Sequence, residues 1–202
     1  MASIESRMNI FHLLNSILIQ NIKGDIVEIG CHIGESTVIL QQIVQKMDAS
    51  RNLYAFDSFC GVPDSVNEDE GVYKKGDMKV SLEQFYKSFD ILGLNKPIVI
   101  SGWFEKTLSV SLPKEIAFVL LDADLYSSTL ISLQEIYPRL NKGAICLLGV
   151  YYNPDSHFNV TSNSAYRSPG VKKACDQFFK DKSEHIDTLY AGNYTSGYFQ
   201  KL

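Results

Sequence analysis

The sequence predicts an α/β domain, a mainly parallel sheet with helices on both faces, on three observations. Short apolar runs of strand length alternate with longer stretches of helical periodicity, which is the pattern of βαβ units. The 202 residues suffice for one hydrophobic core and are too few for two full-sized ones, so residues 1–202 read as a single domain. A hydrophobic fraction of 45% with only 21% charged residues excludes a disordered chain.

The first element is expected to be a helix. Met8, Phe11, Leu14 and Leu18 recur at helical spacing. The apolar run from Ile10 to Ile19 follows Arg7, but His12, Asn15 and Ser16 interrupt it, no small-residue cleavage site follows, and it is too short to cross a bilayer. It therefore reads as an amphipathic helix packed on a cytoplasmic domain, with a surface on which a second copy would pair in a homo-oligomer. Strands are expected at Asp25–Ile29, Asn52–Phe56, Ile98–Ser101, Ala117–Asp122 and Ala144–Leu148, with Gly24 and Gly143 marking two of their starts. Helices are expected at Ser36–Lys46, Leu82–Leu92, Ser127–Leu140 and Val171–Lys182. Ile186–Ala191 and Gly197–Leu202, joined by a five-residue turn, would close the sheet as an antiparallel pair.

Two segments fit no regular element. Gly61–Gly76 is rich in Asp, Glu, Gly and Pro, and Tyr151–Pro169 in Asn, Ser and Tyr. Both follow strand C-termini, the edge at which open parallel sheets bind ligands, so they read either as binding loops or as surface insertions.

A net charge of −4 and a pI near 5.6 offer phosphate backbones no general attraction, so nucleic acid is not an expected partner. Cys31, Cys60, Cys146 and Cys175 stand apart, without the paired spacing of a zinc site or a disulfide framework.

The chemistry is concentrated after the first two strands. Glu28 ends a buried strand, Gly30 and Gly34 frame a turn, and Ser36 and Thr37 open a helix as its natural N-caps. Such a helix start offers unpaired N–H groups to an anion, while Glu28 can receive an ammonium group. At the end of the next strand Asp57 can accept the two ribose hydroxyls of an adenosine. A ligand with those three features is S-adenosylmethionine. A nicotinamide site would instead carry glycine at the position of Glu28.

Four segments, in this order, resemble the macrocin and novobiocin-type O-methyltransferases: Gly24–Gly30, Phe56–Pro63, Gly102–Leu108 and Leu121–Thr129. The resemblance implies a Rossmann-like class I methyltransferase fold with a seven-stranded sheet, and methyl transfer to a hydroxyl of a small-molecule, sugar-like or natural-product acceptor. It places Glu28, Gly30, Asp57, Ser58, Gly102 and Trp103 around the cofactor, with Trp103 either against the adenine or in the core. It makes Asp122 a magnesium ligand and Asp124 the general base. The family's next strand ends in Asp-Asp-Tyr, which supplies two more metal ligands; here the matching residues are Gly149, Val150 and Tyr151. Three readings follow: a metal-independent enzyme whose base is Asp124 or His157, a metal site completed by Asp155, or a cofactor-binding homologue turned to another role.

Overall fold

The computed structural model describes residues 3–154 and 168–202. Among them one seven-stranded sheet runs in the order β3-β2-β1-β4-β5-β7-β6. The strands are β1 (Asp25–Ile29), β2 (Leu53–Asp57), β3 (Ile98–Ser101), β4 (Ile116–Leu121), β5 (Leu140–Leu148), β6 (Asp187–Tyr190) and β7 (Thr195–Gln200). The first five are parallel, and β7 runs antiparallel to both β5 and β6. The helices are α1 (Ile4–Ile19), α2 (Glu35–Met47), α3 (Leu82–Leu92), α4 (Phe104–Ser111), α5 (Tyr126–Ile136) and α6 (Pro169–Phe179).

Strand periodicity sorts the core onto the two faces. On β4, buried along its whole length, Phe118 and Leu120 face α1 and α2, while Val119 and Leu121 face the opposite side. The first face packs against Leu14, Ile17, Leu40 and Val44; the second against Leu108 of α4, Leu133 and Ile136 of α5, and Val171 and Cys175 of α6. A third cluster joins Phe85 and Phe89 of α3 to Cys31, Ala55 and Phe59.

Several expectations need correction. The buried stripe of α1 is Ile10, Leu14 and Ile17, whereas Met8 and Phe11 are half exposed, because the face toward the sheet lies one position away from the stripe read from spacing. Helix α4 went unpredicted, since its eight residues bury Leu108 alone and so carry little periodicity. Helix α5 stops before Pro138, and β5 begins directly at Leu140, inside the expected helix. Gly143 lies within β5 rather than before it: Ile116 pairs with Leu140 but Phe118 with Ile145, and the extra residues bulge between them. Pro169 starts α6 two residues early, at a position where its missing N–H has no helical partner to lose.

The acidic segment 61–76 is not a loose insertion. Val62 N–H donates to the Asp77 carbonyl at 2.9 Å and Gly76 N–H to the Val62 carbonyl at 3.0 Å, closing the loop on itself. Its Asp69 is buried and accepts from the backbone N–H of Val66 at 2.9 Å and of Tyr126 at 2.7 Å. The α5 start lacks a side-chain cap of its own, so Asp69 caps it from 57 residues away.

Candidate cofactor and acceptor cavity

A cavity of about 650 Å³ opens at the carboxyl edge of the parallel strands. Gly30, Ser36, Asp57, Ser58, Trp103, Asp122 and Asp124, all singled out from the sequence, line it together. Glu28, Gly34, Thr37 and Gly102 do not: Glu28 lies in β1 and Thr37 in α2, while Gly34 and Gly102 shape turns behind the lining.

The turn after β1 explains its glycines. Gly30 has φ +84°, and a Cβ there would lie 2.0 Å from the Asp122 carbonyl oxygen, so the ends of β1 and β4 approach only over glycine. Gly34, at φ +83°, is the residue that caps α2, without a side-chain bond. The expectation that Ser36 and Thr37 cap α2 is therefore wrong. The turn enters the helix a residue earlier; Ser36 donates its hydroxyl to Glu28 Oε1, and Thr37 is fully buried.

Glu28 is itself fully buried, and its Oε2 has no partner among the described residues. Burial raises its carboxyl to about 7, the Ser36 and Thr37 hydroxyls opposing and the neighbouring Asp122 and Asp57 charges adding to the rise. Asp57 is held differently. Its two oxygens accept the backbone N–H groups of His32 at 2.8 Å and Phe59 at 2.9 Å, which fix the carboxylate while leaving lone pairs free. Ser58 ties the following turn by donating to the Gly61 carbonyl at 2.8 Å. Trp103 is half-buried on the cavity wall and belongs to none of the core clusters.

At the other end stand Asp122 and Asp124. Asp124 sits in the left-handed region at φ +60°, a conformation that a non-glycine residue holds only where its surroundings impose it. The Tyr73 hydroxyl, from the loop pinned by Asp69, donates to Asp124 Oδ1 at 3.1 Å. Burial lifts the Asp122 carboxyl to about 6; burial and then the Asp122 charge raise Asp124, against the Tyr73 bond. The lining carries Glu35 and Glu105 as well, and among its described residues no Lys or Arg. No sequence signal pointed to Tyr73, because its partner lies 51 residues further on and the contact exists only once the loop folds.

The sequence profile described as macrocin-O-methyltransferase (TylF) matches residues 3–167. The chain belongs to this family. Its curated relatives include the 8-demethyl-8-(2,3-dimethoxy-alpha-L-rhamnosyl)-tetracenomycin-C 4'-O-methyltransferase of Streptomyces olivaceus, 29% identical over 71% of this chain and 59% of that protein. Another is the demethyldecarbamoylnovobiocin O-methyltransferase of Streptomyces niveus, 28% identical over 75% of this chain and 62% of that protein. This macrocin-O-methyltransferase family member thus spans about three-fifths of the length of the curated relatives it matches. The solved structure of the O-methyltransferase NovP overlays it with a TM-score of 0.82 at 23% identity, covering 98% of this chain and 80% of that one. Calicheamicin methyltransferase CalS11 does so at 0.75 and 19%, covering 96% and 77%. These likenesses establish the class I methyltransferase fold.

This family member departs from the resemblance at the end of β5. A Cβ on Gly149 would lie 2.3 Å from Asp122 Oδ1 and 2.4 Å from its Cγ, so the Asp122 carboxylate fills the space that a side chain at 149 would need. Among the described residues no three His, Cys, Asp or Glu side chains converge as a cation site. Asp155 and His157, the alternative ligand and base, lie outside the described residues. No helix among the described residues is long and apolar enough to cross a membrane.

Proposed function

We propose that this chain transfers the methyl group of S-adenosylmethionine to a hydroxyl of a small acceptor, a sugar-bearing natural product such as the rhamnosyl compound named for its Streptomyces relative. The observation that carries the reading is a cavity lined by Glu35, Asp57, Glu105, Asp122 and Asp124 and, among its described residues, by no Lys or Arg. Such a lining favours a cationic ligand and repels the pyrophosphate of a nicotinamide cofactor.

The residues present fit S-adenosylmethionine. Gly30 lines the cavity, the α2 N-terminus would hold the carboxylate of the amino-acid tail, and the buried Glu28 carboxyl would stand behind the ammonium. Asp57 would hold the ribose hydroxyls and Trp103 would offer its ring to the adenine. When bound, the cofactor supplies a methyl group on a sulfonium, which departs as a neutral thioether. Asp124, oriented by Tyr73, takes the proton of the acceptor hydroxyl and keeps the oxygen aimed in line with the methyl, so that positioning carries most of the rate.

Calorimetric titration with S-adenosylhomocysteine tests the cofactor half. Micromolar binding is expected, and Asp57→Ala should weaken it by about 1–3 kcal/mol, roughly five- to a hundred-and-fiftyfold. Absence of binding at millimolar concentration would end the proposal.

A further inference from the structure

We infer that the acceptor half of this site works without a divalent cation, because Asp122 occupies the volume in which a carboxylate borne by β5 would stand. The inference rests on the reading of the cavity as a methyl-transfer site.

Three features of the geometry support it. First, the contact between residue 149 and Asp122 is exclusive. A Cβ at 149 would meet Oδ1, Cγ and Cβ of Asp122 at 2.3, 2.4 and 2.9 Å, closer than side chains pack, so this seat of Asp122 exists only over glycine. The strand end cannot retreat to relieve it. Gly149 N–H donates to the Leu121 carbonyl at 2.9 Å, and its own carbonyl accepts the Ser196 hydroxyl at 2.8 Å, which anchors position 149 between β4 and β7.

Second, donors of this chain fix the orientation of the neighbouring carboxylates. Asp124 Oδ1 accepts from Tyr73, and both Asp57 oxygens accept backbone N–H groups. Third, Val150 has no oxygen to offer, and an acceptor hydroxyl brings no charge. Magnesium is held by carboxylates together with substrate phosphates or water in a strict octahedron, and among the described residues no third carboxylate converges with Asp122 and Asp124. The work that a cation would do at the acceptor oxygen falls to carboxylates: the hydroxyl proton passes to Asp124, and no charge has to be neutralised by a metal.

The test uses the metal itself as probe. Mn²⁺ is titrated into the whole chain and into Asp122→Asn, both with S-adenosylhomocysteine present, and free Mn²⁺ is read by electron paramagnetic resonance. The expected result is that neither protein takes up a stoichiometric Mn²⁺, the free signal being the same in both. One Mn²⁺ per chain bound by the wild type and lost in Asp122→Asn would overturn the inference while leaving the methyltransferase reading intact; failure of S-adenosylhomocysteine to bind would do the reverse. The seat is tested separately by thermal melting. Gly149→Ala should lower the melting temperature, and adding Asp122→Ala should recover part of the loss, because the clashing carboxylate is gone and only the Cβ contact at 2.9 Å remains. A Gly149→Ala protein as stable as the wild type, or a loss unrelieved in the double variant, would refute the packing on which the inference depends.

Discussion

Glu28 shows how a single residue can link stability to ligand charge. Its carboxyl is wholly buried, with one hydroxyl from Ser36 and one oxygen unpartnered, and burial raises it from its ordinary value near 4.5 to about 7. The consequence for pH has a definite sign. Below 4.5 the group is protonated in both folded and unfolded chains; between 4.5 and 7 the folded chain keeps a proton that the unfolded chain has lost, so stability falls as pH rises through that window. The full effect is on the order of 3 kcal/mol, and Asp122, raised to about 6, acts in the same sense. Urea unfolding of the ligand-free protein from pH 5 to pH 7.5 should show this decline, and Glu28→Gln should flatten it; an unchanged slope in that variant would show that Glu28 is solvated. Ser36→Ala removes the hydroxyl and should cost about 1–3 kcal/mol at pH 8, where the buried carboxylate is charged.

At the scale of elements, the loop and the helix that it caps act as one unit. Asp69 supplies the N-cap that α5 lacks, and the same loop carries Tyr73 to Asp124. Asp69→Ala should therefore lower stability by about 1–2 kcal/mol in urea titration and speed hydrogen exchange over 61–77 more than in the β4 core. Protection unchanged in that loop would show that its other bonds hold it. None of this was legible in the sequence. The strands were, because β4 and the second half of β5 are buried on both faces and spell continuous apolar runs, and α2 and α3 were, because each buries one face. What failed were the features set by tertiary contact: the stripe of α1 that docks, the short α4 with one buried leucine, and a cap donated by a residue far away in the chain.

For the whole molecule, the sheet order brings the ends of β1, β2 and β4 side by side, so carboxylates far apart in sequence share one cavity. Asp57 could be picked out because it follows a predicted strand, and Asp122 and Asp124 through the resemblance, whereas nothing in the sequence singled out Glu35 or Glu105. Their joint effect could not, since the absence of Lys and Arg among the described lining residues becomes visible only when loops from the whole chain have folded around the space. That arrangement predicts selection by charge. S-adenosylmethionine and S-adenosylhomocysteine share adenosine and amino-acid tail and differ by the sulfonium, so the cavity should distinguish them mainly through Asp122 and Asp124, whose carboxyls burial raises. A cation bound beside them favours their ionised forms. Binding of the sulfonium ligand between pH 5 and pH 7 should consequently release protons and tighten as pH rises, whereas the neutral thioether should show a shallower dependence. Calorimetry in buffers of different ionisation heat counts the protons released. Equal counts for the two ligands would mean that the sulfonium does not lie against this pair of aspartates, and Asp124 would then lose its place as the base.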